Sequence, residues 1–438
     1  MKIYANNLKD YLGKEIEFSG FVDNIRDLQW VQFVILRDST GKVQVTIEKS
    51  EEKNKDMVEL ISNLPLESTV KITGTLIDSP KVKLNGMEII PSKIEVTSKS
   101  DLEIPFNYKK PEGVNLDTRL DYRFIDLRSD KNILMFQVQS DFVKYMREYL
   151  YNNDFTEIHT PKLIGAASES GAEVFEVKYF DTKAYLAQSP QFYKQMAMAS
   201  GLSKIFEVAP CFRAENSNTK RHATEFTSFD VEFSYIDSYD DVMTLEAEML
   251  TYALTKLKEK YAEKIKEAFG VDINVPTLPF PVMKLADVYK ELEERYGYKV
   301  PDEEKTDLTT EAERLTYKLA QEKFNHEFMF VVDYPAEKRA FYHMRDEKGI
   351  LQGYDLIWRG VEITSGAQRE HRYEEICKNA DEKGLKDDVK FYLEFFKYGC
   401  PPHGGFAIGV DRLTMLLLNT PSVKETQFLF RGPNRLNP

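Results

Sequence analysis

FRAENSNTKRHATEFTSFDVEF, residues 212–233, is the stretch on which the fold of this chain hinges. Phe226, Ser228, Asp230 and Glu232 alternate with Thr227, Phe229, Val231 and Phe233. A period of two places the two sets on opposite faces of a strand, one apolar, the other bearing two carboxylates and an aromatic ring. Just upstream, Arg213 and Glu215 alternate with Phe212 and Ala214 in the same way. The polar, basic run NSNTKRHAT between them predicts a hairpin loop longer than the two-residue kind. An antiparallel pair then presents Arg213, Glu215, Phe226, Asp230 and Glu232 on one surface, with Arg221 and His222 above it. That surface suits a polyanion carrying a flat base, although a solvated hairpin face would show the same alternation.

A second stretch, GGFAIGVDRL at 404–413, decides between the two. Gly404, Gly405 and Gly409 let backbone approach closely, and Arg412 stands where a strand meets the apolar helix LTMLLL. Together the two segments resemble motifs 2 and 3 of the class II aminoacyl-tRNA synthetases. The TPKL run around Pro161 resembles motif 1, and the spacings of roughly fifty and two hundred residues fit that order.

Composition sets the frame. The 438 residues suffice for two or three domains. Asp plus Glu number 72 against 59 Lys plus Arg, a net charge of −13, so any nucleic-acid contact requires a local basic groove. Cys211, Cys377 and Cys400 show no paired spacing, which points to a reducing, cytoplasmic setting. No apolar run approaches 18 residues and the first residues show no signal-peptide pattern, so no membrane partner is expected. Six scattered histidines suggest no zinc site, and DNA is not among the expected partners.

The predicted architecture is α+β. Residues 1–103 alternate as five short strands, EIEFSGFVDNI, WVQFVILRD, GKVQVTIEK, STVKITGTLID and MEIIPSKIEVTS, with the helical NKDMVELISNL between the third and fourth. That is the order of an OB-fold β-barrel. A hinge over 104–128 follows, then a catalytic domain over 129–438, built on an antiparallel sheet flanked by helices. Within it, a mostly helical insertion over about 241–350 is expected. Its charged part, 241–322, with LEAEMLTYALTKLKEKYAEKIKEAF, reads as a solvated, partner-free surface. Ser189 is expected to cap a helix whose first position is Pro190.

On that helix Gln191 and Lys194 share a face near a helix start that favours anions. Further on, Asp355, Glu362 and Ser365 form a hard-oxygen set of the type Mg²⁺ prefers, with Arg369 a second cation beside Lys194. QSPQFYKQ, GVEITSGAQREHR and YGCPPHGGF narrow the resemblance to the compact archaeal and eukaryotic aspartyl-tRNA synthetases of class IIb, over essentially the whole chain.

The resemblance implies activation of L-aspartate by ATP with Mg²⁺, transfer to tRNA-Asp, and a homodimer; tRNA-Asn as a second acceptor stays open. It assigns Glu169, Gln191 and Asp230 to the substrate ammonium, and Lys194 and Arg369 to its side-chain carboxylate. Arg213 corresponds to the α-phosphate clamp, Glu215 to the adenine amino-group acceptor, and Phe226 to a ring stacked on adenine against Arg412. Arg221 and His222 correspond to γ-phosphate contacts, and Asp355, Glu362 and Ser365 to Mg²⁺ ligands. In the barrel, Phe33, Gln44, Lys83 and Glu88 correspond to anticodon contacts on one face. Asp23 and the tail LFRGPNRLNP depart from the family pattern. Two other functions compete: an asparaginyl-tRNA synthetase, against which Lys194 argues, and a non-catalytic tRNA-binding paralogue, against which Arg213, Arg412 and Glu362 argue.

Overall fold

The computed structural model describes residues 2–101, 103–165, 173–336 and 339–438. They form two compact units, Met1–Gly113 and Val114–Pro438.

In the first unit, β1 (Glu15–Asp27), β2 (Val31–Arg37), β3 (Lys42–Glu48), β4 (Thr69–Asp78) and β5 (Met87–Ser98) close a barrel in the order β1-β2-β3-β5-β4. Helix Lys55–Ser62 lies between β3 and β4 in sequence. The alternation seen in the sequence is the alternation of burial. Val34, Leu36, Val45, Ile72, Leu76 and Ile89 fill the core, while Phe33, Gln44 and Glu88 stand on the half-buried outer face. A bulge interrupts the β1–β2 register between Val22 and Asn24 and turns Asp23 inward as the extra residue.

In the second unit, β6 (Thr156–Glu157) begins the main sheet and β7 (Leu163–Ile164), β8 (Glu176–Tyr179) and β9 (Thr182–Leu186) make a small separate one. The hairpin read from 212–233 is β10 (Lys204–Phe212) and β11 (Glu225–Ser234), paired from Lys204↔Phe233 to Phe212↔Glu225; Arg213 and Glu215, expected on the first strand, lie past its end in the connection to β11. β12 (Val282–Lys284), β13 (Phe328–Val332), β14 (Gly353–Trp358), β15 (Val361–Arg369) and β16 (His403–Gly409) complete an eight-stranded sheet, β12-β13-β14-β15-β16-β11-β10-β6. It is antiparallel except for its two edge pairs, β12–β13 and β10–β6. One face packs through Phe229, Val231, Phe406 and Ile408 on helices Asp130–Asn152 and Tyr239–Phe269. The opposite face carries Ser228, Asp230 and Glu232.

Two expectations need correction. Residues 241–322 are not a partner-free surface: helix Tyr239–Phe269 buries Val242, Met243, Ala247, Leu250, Leu254, Leu257, Tyr261 and Ile265 in the main core. From Met243 onward those residues recur at three- and four-residue steps, and phase decides burial where charge count does not. The helix after Ser189 starts at Gln191 rather than at Pro190, which is its N-cap. Ser189 Oγ nevertheless accepts from the Gln191 N–H at 3.1 Å, the capping bond expected of it.

Candidate active site

A cavity of about 350 Å³ opens on the polar face of the sheet. Gln191, Arg213, Glu215, Arg221, His222, Phe226, Asp230, Glu362, Ser365, Arg369 and Arg412 all line it. Lys194 and Asp355 lie immediately behind the wall, and Glu169 falls outside the described residues. Both motifs meet here because β11 is hydrogen-bonded to β16, with Asp230 opposite Ala407 and Glu232 opposite Gly405.

At one end four charges are buried together. Lys194 Nζ lies 2.9 Å from Asp230 Oδ1 and 3.3 Å from Glu232 Oε2. Arg369 donates through Nε to Glu232 Oε1 at 3.0 Å and through a terminal nitrogen to the Gly405 carbonyl at 2.9 Å. Burial alone would raise the Glu232 carboxyl; Arg369 and Lys194 outweigh it and hold it below the usual carboxylate range. Gly405 is required here, since a Cβ would run into the Val231 carbonyl and the Glu232 carboxylate. The cluster is formally neutral, and Asp230, a buried acceptor, already meets the Lys194 ammonium through Oδ1 and the Ser228 hydroxyl through Oδ2 at 2.5 Å. That acceptor suits an ammonium, and the two cations suit a carboxylate.

At the other end the groups suit phosphate and a base. The Arg213 guanidinium lies over the Phe226 ring, 5.4 Å from its centroid, and 3.8 Å from Glu215. Arg412 donates to the Glu362 carbonyl at 2.7 Å. Burial lowers the His222 imidazole, and Arg412, Arg221 and Arg213 push it further down against the pull of Glu215. Arg221 donates to Glu313 at 2.6 Å, and the same carboxylate accepts from the Glu362 N–H at 3.0 Å. Glu313 belongs to helix Thr310–Phe324, inside the segment expected to lack partners. It escaped the sequence reading because nothing in its surroundings marks it as different from other surface glutamates.

Asp355 and Ser365 are cross-strand partners on β14 and β15, the Ser365 hydroxyl donating to Asp355 at 2.6 Å. Regular alternation from Ser365 would aim Ile363, not Glu362, at the cavity. A bulge between Leu356 and Ile357 shifts the phase, sends Ile363 to the core and brings Glu362 to the face of Asp355. Burial and then the Asp355 charge push the Glu362 carboxyl up to about 8, against the pull of Arg412 and Arg339. Arg369 lies four positions along β15, in the other cluster. Arg339 is a second residue the sequence did not disclose: it donates to Asp355 at 2.6 and 3.1 Å, to Ser365 at 3.2 Å and to Asp307 at 3.0 Å. It sits in a loop with no periodicity to expose it.

In the barrel, Phe33 pairs with Thr46, and Gln44 with Glu88, to which it donates at 3.1 Å. Lys83 lies off the strands, exposed in the turn before β5. Asp23 faces inward onto Lys109 at 2.8 Å, Arg37 at 3.2 Å and Lys42 at 3.5 Å. The departure from the family pattern is thus a buried ionic anchor for the segment around Tyr108, whose hydroxyl donates to Glu67 at 2.7 Å.

Comparison with known proteins agrees with this geometry. Residues 115–431 match the family of class II tRNA synthetases (D, K and N), and residues 16–97 match the OB-fold nucleic acid binding domain. The chain is 41% identical to an aspartate–tRNA(Asp) ligase of Pyrococcus furiosus over 439 residues, covering 99% of each. It is 39% identical to an aspartate–tRNA(Asp/Asn) ligase of Aeropyrum pernix over 431 residues, covering 98% of this chain and 96% of that one. The asparaginyl-tRNA synthetase of Pyrococcus horikoshii, solved with asparaginyl-adenylate, superposes with a TM-score of 0.90 at 30% identity, over all of both chains. No helix among the described residues is long and apolar enough to cross a membrane. With two sequence motifs converging on one cavity and relatives matching from end to end, the chain belongs to the class II tRNA synthetases of the D, K and N group.

Proposed function

We propose that this chain is an aspartate–tRNA ligase, activating L-aspartate with ATP to aspartyl-adenylate and transferring the aspartyl group to the 3′ end of tRNA-Asp. The observation that carries the reading is the buried quartet Lys194, Asp230, Glu232 and Arg369, set at one end of a cavity whose other end offers Arg213, Arg221, His222 and Arg412. Full-length relatives that bear this activity in their names support it.

In this scheme Asp230 and Gln191, with Glu169, accept from the substrate ammonium, while Arg369 and Lys194 hold the side-chain carboxylate. Phe226 stacks on adenine against Arg412, Glu215 accepts from its amino group, and Arg221 and His222 meet the γ-phosphate. The α-carboxylate then attacks the α-phosphorus in line; a new oxygen–phosphorus bond forms as the bond to the bridging oxygen breaks, and pyrophosphate leaves. Arg213 holds the α-phosphate oxygen on which charge develops. The terminal adenosine hydroxyl of the tRNA next attacks the acyl carbon and AMP departs. No side chain need act as a nucleophile.

Class II synthetases use ATP and divalent metal ions. Asp355, Glu362 and Ser365 are hard-oxygen donors of the type Mg²⁺ takes, and Arg339, which occupies both oxygens of Asp355 here, would have to give way for Asp355 to ligate it. Bound there, Mg²⁺ would neutralise nucleotide phosphate charge. Residues 1–103 would read the anticodon through Phe33, Gln44, Lys83 and Glu88, 104–128 would be the hinge, and 129–438 would carry catalysis in the cytoplasm. Motif 1 around Pro161 would build the isologous interface of a homodimer.

Aminoacylation of purified tRNA-Asp and tRNA-Asn with aspartate and with asparagine tests the scheme. Aspartyl-tRNA-Asp is the expected product, and aspartyl-tRNA-Asn beside it would make the chain a dual-acceptor enzyme. Asparagine as the charged amino acid would transfer the chain to the asparaginyl type, whose solved relative shares the fold.

A further inference from the structure

Behind Gln191 runs a buried hydrogen-bonded chain that the reaction scheme leaves unused. It starts at the Pro401 carbonyl, which can only accept and lies 2.8 Å from His403 Nδ1. Nδ1 therefore carries a proton, and Cys400 Sγ at 3.7 Å is a weaker second neighbour. Burial pushes the His403 imidazole down to about 4; Glu232 pulls it up and Arg369 and His371 push it down. At neutral pH the ring is accordingly neutral, and Nε2 is an acceptor.

Nε2 lies 3.0 Å from the Gln195 side-chain nitrogen, so the Gln195 amide must turn its NH₂ to the ring. Its oxygen then accepts from the Tyr392 hydroxyl at 2.9 Å and from the Gln191 amide nitrogen at 3.0 Å. Gln191 and Gln195 are four apart on one helix, which brings them together. Gln191 has spent its NH₂ inward, and its carbonyl oxygen accepts from no described residue. Gln191, Gln195, Tyr392 and His403 are all buried, so solvent does not compete for these contacts.

We infer that Pro401, His403, Gln195 and Gln191 form a polarity relay, which fixes the Gln191 amide with its oxygen toward the cavity as an acceptor for the substrate ammonium. The inference rests on the proposed contact between Gln191 and that ammonium. Gln195, Tyr392 and His403 are positioning residues. Without them the Gln191 amide is free to rotate, and half its orientations set an NH₂ against a cation.

The test compares Gln195→Met, which keeps volume but has no amide, with Gln195→Glu, which no longer donates to His403 but accepts through both oxygens and so still holds the Gln191 NH₂ and the Tyr392 hydroxyl. Pyrophosphate exchange gives KM for aspartate and for ATP separately. Gln195→Met is expected to raise KM for aspartate about tenfold, the worth of one hydrogen bond to a charged group, with KM for ATP unchanged. Gln195→Glu is expected to stay within about threefold of the parent, below half of that free energy. Equal loss in both variants, or aspartate and ATP affinities falling together, would overturn the relay. Gln191→Met separates the two levels: if it binds aspartate normally, the ammonium contact itself is wrong; if it is impaired while Gln195→Met is normal, only the relay is. Should the variants fail to fold, ¹⁵N-histidine NMR of the parent decides. A neutral Nδ1–H ring for His403 at neutral pH supports the relay, and an Nε2–H or doubly protonated ring refutes it.

Discussion

Lys194→Met removes one charge from the centre of the buried quartet while keeping most of the side chain's length and volume. Lys194 is fully buried and holds Asp230 and Glu232 at 2.9 and 3.3 Å, so the change leaves Glu232 with Arg369 and Asp230 with the Ser228 hydroxyl. Breaking a buried pair costs about 3–5 kcal/mol of stability, which a thermal melt will register. The effect on catalysis is separable. Two unit charges about 4 Å apart attract by about 4 kcal/mol at an effective dielectric constant of about 20. Lys194 already shares its charge between two carboxylates, which brings the loss on an incoming carboxylate toward about half of that. The expected fall in kcat/KM for aspartate is therefore about 2–4 kcal/mol, roughly 30- to 1,000-fold. Asparagine presents no carboxylate, so its kcat/KM falls less and the preference for aspartate shrinks. The assay is ATP–pyrophosphate exchange across concentration series of aspartate, asparagine and ATP, on protein shown to be folded at the assay temperature. Unchanged aspartate kinetics with a collapsed affinity for ATP would refute the reasoning and make Lys194 a phosphate ligand.

Three further outcomes are expected. Arg213→Ala should lower aspartate-dependent exchange by about 100-fold or more, as loss of a group that meets developing charge does; its side chain is about half exposed, so the melting temperature should barely move. Exchange near the parent rate would remove Arg213 from the site. Gly405→Ala forces a methyl group into the Val231 carbonyl and the Glu232 carboxylate, and should cost on the order of 1–3 kcal/mol while raising KM for aspartate. An unchanged melt and an unchanged KM would contradict that packing. Glu246, fully buried with Tyr354 donating to it at 2.7 Å, is pushed by burial up to about 7 from 4.5. A carboxyl raised this way contributes stability that is fully present below about 4.5 and lost as pH rises through about 7, on the order of 3 kcal/mol in all. Glu246→Gln should remove that slope from denaturant titrations between about pH 5 and 8, and an unaltered slope would show that Glu246 does not titrate there.

What the sequence disclosed followed from period and punctuation. The strands of the barrel and the β10–β11 hairpin were legible because one face of each is apolar and the other is not. The cavity residues on β11 followed directly, since Ser228, Asp230 and Glu232 keep strict alternation. Glu362 was grouped with Asp355 and Ser365 by its oxygen chemistry and not by strand period, which would have aimed Ile363 there; the bulge that reverses the phase leaves no trace in residue types. Arg339 and Glu313 were invisible for a related reason: each acts through a partner distant in the chain, Asp355 for one and Arg221 for the other. Helix Tyr239–Phe269 was misjudged because its lysines and glutamates are numerous, although its apolar residues fall in phase on one side. Asp23 shows the opposite failure, where one acidic residue in an otherwise readable strand makes sense only beside Arg37, Lys42 and Lys109.

The place of β11 between β10 and β16 restricts how this enzyme can diverge. Hydrogen bonds engage both of its edges, so a residue added or lost within Glu225–Ser234 cannot be absorbed at a free margin. Such a change would trade faces, turning Phe229 and Val231 to the cavity and Asp230 and Glu232 to the core. Lineages descended from this sequence can therefore alter the pocket by substitution, but length changes should accumulate in connections such as 213–224. Aligned with its relatives, the chain should show gaps clustered in those loops and an unbroken block across the strand that lines the cavity.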